Sequence, residues 1–138
     1  MAEAVLRQLA AQAGFSSVVE VDSAGTHANE GEVPDSRARQ VAARRGYDLS
    51  GLRSRRVVTE DFVRFDRLLA MDRQNLASLK DRCPPEHLSK LGLFLEEGSG
   101  GSTPADVHDP YFGGIHGFEE VLDLCEQGAR RLVATISR

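Results

Sequence analysis

Apolar positions recur along this chain at two spacings, one helical and one suited to buried strands. Residues 1–13 carry Val5, Leu6, Leu9 and Ala13 on a helical repeat that stops at Gly14, so a helix with a glycine end is expected there. Residues 17–21, Ser-Val-Val-Glu-Val, are short and β-branched and predict a strand. Ser23-Ala-Gly-Thr26 then reads as a turn. Residues 35–45 follow Pro34, open on a capping aspartate and meet Gly46, which predicts a second helix. Thr59 is placed to cap a short helical turn running to Phe65. The apolar run at residues 67–71 predicts a buried strand, and Asp72 can cap a helix carrying Leu76 and Leu79 that Pro84-Pro85 ends. Residues 91–95, Leu-Gly-Leu-Phe-Leu, predict a third strand, and Gly98-Ser-Gly-Gly-Ser102 a loop. The strongest helical stripe is the last, with Phe118, Val121, Leu122, Cys125, Ala129, Leu132 and Ile136 on one face. Alternation of this kind implies an α/β layer fold with a mainly parallel sheet. Folds of that type usually open on a strand whose C-terminal end carries the ligand loop, whereas this chain opens on a helix.

Composition narrows the function more than the fold. The 138 residues are 41% hydrophobic and 28% charged with a net charge of −4, which argues against a disordered chain and gives no support to a nucleic-acid or anionic-membrane surface. Nowhere is there an apolar run long enough to span a bilayer, and the acid within the first residues is unlike a signal peptide. Two cysteines are too few for a disulfide framework or a cysteine zinc cage. A single cytoplasmic domain without metal or cofactor is the expectation.

Six ordered segments carry a resemblance. They are Met1-Ala-Glu-Ala-Val5, Asp22-Ser-Ala-Gly-Thr26, Pro34-Asp-Ser-Arg-Ala38, Ser54-Arg-Arg-Val-Val-Thr-Glu-Asp-Phe62, Phe65-Asp-Arg-Leu-Leu-Ala-Met-Asp72 and Asp109-Pro-Tyr-Phe-Gly113. In this order they resemble the low-molecular-weight protein tyrosine phosphatase family. The resemblance covers residues 1–138 as one N-terminally incomplete domain, because the family places a strand and a Cys-x5-Arg-Ser/Thr-Pro loop immediately before the Ala-Glu helix. It implies a three-layer α/β fold, a mainly parallel sheet with helices on both faces, with the first central strand absent. It implies a parent enzyme that hydrolyses phosphotyrosine in proteins through a phosphocysteine intermediate.

That chemistry needs a thiolate nucleophile, a cradle of backbone amides with a bidentate arginine for the phosphate oxygens, and an acid to protonate the leaving phenolate. The family supplies the first three from the loop, so the 138 residues are expected to be inactive. An aspartate before proline is in itself a turn former, but by resemblance Asp109 is the general acid. Tyr111 and Phe112 match substrate-flanking aromatics, and His27 falls where the family lines the pocket mouth, although a lone loop histidine is as often simply solvated. Ser23 matches a serine that supports the phosphate loop by hydrogen bonding. Leu52 departs from the family, which often has a histidine there. Two other functions stay open: a natural pseudophosphatase acting as a binding module, and a protein arginine phosphatase. Strand edges left unpaired by the absent strand also imply possible self-association.

Two decoys are set aside. Cys125 and Arg131 satisfy Cys-x5-Arg, but Glu126-Gln-Gly-Ala-Arg130 puts a carboxylate where an anion should bind, and Cys125 lies on the apolar stripe. Cys83 has no arginine at that spacing. His87, His108 and His116 show no metal-ligand pattern.

Overall fold

Several helix boundaries have a local cause in the computed structural model, which describes residues 1–15, 17–26, 29–96 and 114–136. Helix α1 is Ala2–Gln12, followed by Gly14 at φ 86°. Helix α2, Ser36–Arg44, begins where Asp35 accepts a hydrogen bond from the Arg37 N–H, and it ends before Gly46, also at φ 86°. The left-handed backbone of both glycines is conformation that other residues rarely adopt. Helix α3 is Thr59–Arg64, with Val58 rather than Thr59 as its capping position. There the Asp61 carboxylate reaches back to the Val58 N–H at 2.9 Å, satisfying a donor that a Thr59 cap would have left open. Helix α4, Arg73–Arg82, starts on the Asp72 carboxylate, which accepts from the Asn75 N–H at 2.7 Å. A 3₁₀ turn, Pro85–Lys90, follows. Helix α5 is Gly114–Ile136.

Strands β1, Leu68–Ala70, and β2, Leu91–Leu93, pair in parallel, with Leu68 opposite Leu91 and Ala70 opposite Leu93. Side chains alternate across a strand, and the layers follow from that. On one face Leu68, Ala70, Leu91 and Leu93 pack with Phe62 of α3 and with Leu76 and Leu79 of α4. On the other face Leu69 and Met71, with Phe94 and Leu95 just beyond β2, pack into a larger cluster. Val5 of α1, Val41 of α2 and Leu122 of α5 fill its centre. The fold is therefore α/β, a parallel sheet between helical layers. α5 buries Phe118, Val121, Leu122, Cys125, Ala129 and Leu132 as its stripe requires, but Ile136 at its end is 41% exposed.

The expected strand at residues 17–21 does not form. Ser17 and Val18 lie in a turn in which the Val18 and Val19 amides both bond to the Phe15 carbonyl, and Val18 is 73% exposed. β-Branched sequence favours a strand only where a partner ladder exists, and residues 19–24 have none among the described residues. Pairing begins one step later, in an isolated parallel bridge between Gly25 and Arg56.

Gly128 of α5 leaves no room for a side chain against the larger cluster. A Cβ built there would lie 2.4 Å from Phe94 Cε1, and Phe94 is buried. Overpacking of this kind costs about 1–3 kcal/mol, more than the few tenths that valine gains over glycine in a helix. Gly128→Val is expected to lower the unfolding free energy by about 2 kcal/mol in urea titration. An unchanged midpoint would mean that the Phe94 ring has room to move.

Candidate active site

Residues 21–26 form the described part of the predicted site, and three elements grip them. α1 holds the first end. Arg7 donates to the Val21 carbonyl at 2.6 Å and pairs with Glu3 at 2.7 Å, while the Ser23 hydroxyl donates to Glu3 Oε1 at 2.6 Å. The approach to α3 holds the middle. Gly25 N–H donates to the Arg55 carbonyl at 2.8 Å, and Val57 N–H donates back to Gly25 at 3.1 Å. Arg55 binds both oxygens of Asp61, at 3.0 and 3.1 Å, and lies 3.3 Å from Asp22. α4 holds the far end, where Asn75 donates to the Thr26 hydroxyl at 3.3 Å and Arg82 to the Thr26 carbonyl at 3.0 Å. Ser23 is therefore presented on backbone braced from both sides.

The remaining predicted residues, His27, Asp109, Tyr111 and Phe112, lie outside the described residues, as do His108 and residues 98–102. Leu52 packs against the larger apolar cluster. Three residues that sequence reasoning passed over do much of the bracing: Glu3, Arg55 and Asp61. The spacing of Glu3 and Arg7, four apart on α1, was a readable signal for their pair. An acid at Asp61, three residues after the cap, was a readable signal for its backward bond to Val58. The Arg55–Asp61 contact carried no comparable sequence signal.

Neither cysteine has the setting of a nucleophile. Cys125 is 2% exposed inside the larger cluster, and burial, reinforced by Glu126 against the α1 terminal amine, pushes its thiol up to about 11. Burial and the charge of Glu86 also raise the Cys83 thiol, which donates to the Pro84 carbonyl at 3.3 Å. Among the described residues no group of histidines, cysteines and acids is arranged to hold a metal ion. Nor is any described helix long and apolar enough to cross a membrane.

Asp61 makes the brace sensitive to acid. Burial pushes its carboxyl upward, but the Arg55 bonds, the Val58 N–H and the nearby positive charges outweigh that and hold it below its ordinary 3.8. A carboxyl depressed in the folded state contributes stability above its unfolded value, and that contribution is lost as the pH falls through the folded value. Asp61→Asn is therefore expected to lower the melting temperature at pH 7 and to flatten its fall below about pH 4. Parallel melting curves for wild type and variant across that range would remove Asp61 from this role.

The geometry and the sequence agree with a known lineage. Residues 1–138 match the model of the low molecular weight phosphotyrosine protein phosphatase family. The low molecular weight protein-tyrosine-phosphatase YfkJ of Bacillus subtilis is 34% identical, over 100% of this chain and 87% of that protein. A protein tyrosine phosphatase from Entamoeba histolytica, solved with Hepes in its active site, superposes with a TM-score of 0.91 at 36% identity, covering 99% of this chain and 86% of that one. A YwlE arginine phosphatase structure superposes at a TM-score of 0.89 with 24% identity, covering 99% of this chain and 86% of that one, a likeness of fold alone. The chain belongs to the low molecular weight phosphotyrosine protein phosphatase family.

Proposed function

We propose that this fold, joined to a Cys-x5-Arg phosphate loop, hydrolyses phosphotyrosine in proteins, and that residues 1–138 without such a loop have no turnover. Asp109 protonates the leaving phenolate, Tyr111 and Phe112 flank the ring, His27 lines the pocket mouth and Ser23 supports the loop. Family membership over the whole chain is the observation that carries this reading. Tyrosine is placed ahead of arginine because the relatives at 34–36% identity are tyrosine phosphatases, whereas the arginine phosphatase shares only the fold. The reaction splits one difficult displacement into two, first onto a thiolate and then onto water. Within these 138 residues the two cysteines are both buried, so neither meets the first requirement.

The test places a family strand and Cys-x5-Arg-Ser/Thr-Pro loop ahead of Met1 and follows release of phosphate from a phosphotyrosine peptide. Turnover is expected in the joined protein and none in residues 1–138 alone. A joined protein that folds but releases no phosphate would support a binding module instead.

A further inference from the structure

We propose that Glu3 is a positioning residue that fixes Ser23 as a hydrogen-bond acceptor toward the phosphate loop. The inference rests on the functional reading above and assigns a polarity to the contact that Ser23 makes there. A serine hydroxyl carries one proton and two lone pairs, and a carboxylate oxygen only accepts. Ser23 directs its proton to Glu3 Oε1 at 2.6 Å. Its lone pairs are then all that it can offer, so the loop must supply the donor, an N–H or an O–H.

Glu3 is built to enforce this. It lies in the first turn of α1, and its side chain is 7% exposed. Oε1 takes the Ser23 hydroxyl and Oε2 takes Arg7 at 2.7 Å, so both oxygens are committed and the carboxylate has one orientation. Arg7 is itself tied to the Val21 carbonyl at 2.6 Å, two residues before Ser23. The three side chains thus lock the start of α1 to residues 21–23. Without Glu3 the Ser23 hydroxyl is free to rotate and donate, and the loop would meet a contact of either polarity. A charge on the acceptor side also strengthens the bond relative to a neutral one.

Two cycles test this. In residues 1–138, Glu3→Ala and Ser23→Ala are each expected to lower the melting temperature, and the double variant to lose less than the sum of the two, because both break one contact. In the loop-joined protein, inorganic phosphate as a competitive inhibitor reads how well the loop is held. Each single variant is expected to weaken phosphate inhibition about tenfold, the scale of one charge-assisted hydrogen bond, and the double variant no more than either single. A loss of stability alone would leave the inhibition constant of the folded enzyme unchanged. Additive losses in either cycle, or normal phosphate inhibition in Glu3→Ala, would overturn the inference while leaving the phosphatase reading intact. A joined protein that neither binds nor hydrolyses phosphate esters would sink that reading and this inference with it.

Discussion

Residues 1–138 on their own are expected to hydrolyse p-nitrophenyl phosphate no faster than buffer, and the loop-joined protein to turn it over at about 1 s⁻¹ or faster, within the usual enzyme range. The expectation follows from what each cysteine lacks. With its thiol pushed up to about 11, Cys125 presents roughly one thiolate in ten thousand at pH 7, and it is buried as well. The five residues between it and Arg131 lie inside α5, where backbone N–H groups bond to preceding carbonyls rather than pointing at an anion. Arg131, the other half of that apparent motif, donates to the Leu95 carbonyl at 3.2 Å. Cys83 is followed by Pro84 and Pro85, which have no N–H to give a phosphate cradle, and the sixth residue on is Ser89. Turnover by residues 1–138 that Cys125→Ser abolishes would show that α5 opens and that its thiol is reachable.

Features legible in the sequence were those with local causes. Asp35 and Gly46 bracket α2, and Asp72 and Pro84 bracket α4, because caps and prolines act within a turn of themselves. The apolar runs containing β1 and β2 were legible because strands covered on both faces read as continuous apolar sequence. Residues 17–21 were misread because a strand is a statement about a partner, and β-branched composition says nothing about whether one is there. The cap of α3 was misassigned to Thr59 because the bond that satisfies the helix start comes from Asp61, three residues downstream. The same distinction holds at the site. Ser23 was reached by resemblance, but the residue that sets its polarity, Glu3, is twenty positions away and looks in sequence like an ordinary helix-surface acid. Arg55 stands among three arginines between positions 53 and 56, and only the fold distinguishes it by bringing Asp22 and Asp61 to it. The Asp109-Pro-Tyr-Phe segment was reached by resemblance alone.

That segment carries the second large effect. In the loop-joined protein, Asp109→Asn is expected to slow hydrolysis of aryl phosphates with poor leaving groups by about a hundredfold or more, the usual scale of general acid catalysis. Esters of acidic phenols are expected to lose far less. The reason lies in where charge develops as the P–O bond breaks. An alkyl-substituted phenolate, like that of tyrosine, is a strong base and leaves readily only if a proton arrives with the bond cleavage. A nitrophenolate carries its own charge and needs little help. Asparagine keeps the shape of aspartate and can donate a weak hydrogen bond, but it has no proton to transfer, so the variant separates protonation from positioning. A plot of rate against leaving-group pKa should therefore steepen in Asp109→Asn relative to the unsubstituted protein. Because phosphorylation of the enzyme is the step affected, a pre-steady-state burst seen with a good leaving group should persist in the variant and vanish with a poor one. Equal losses across the series, with an unchanged slope, would mean that Asp109 shapes the pocket and that the leaving group takes its proton from elsewhere.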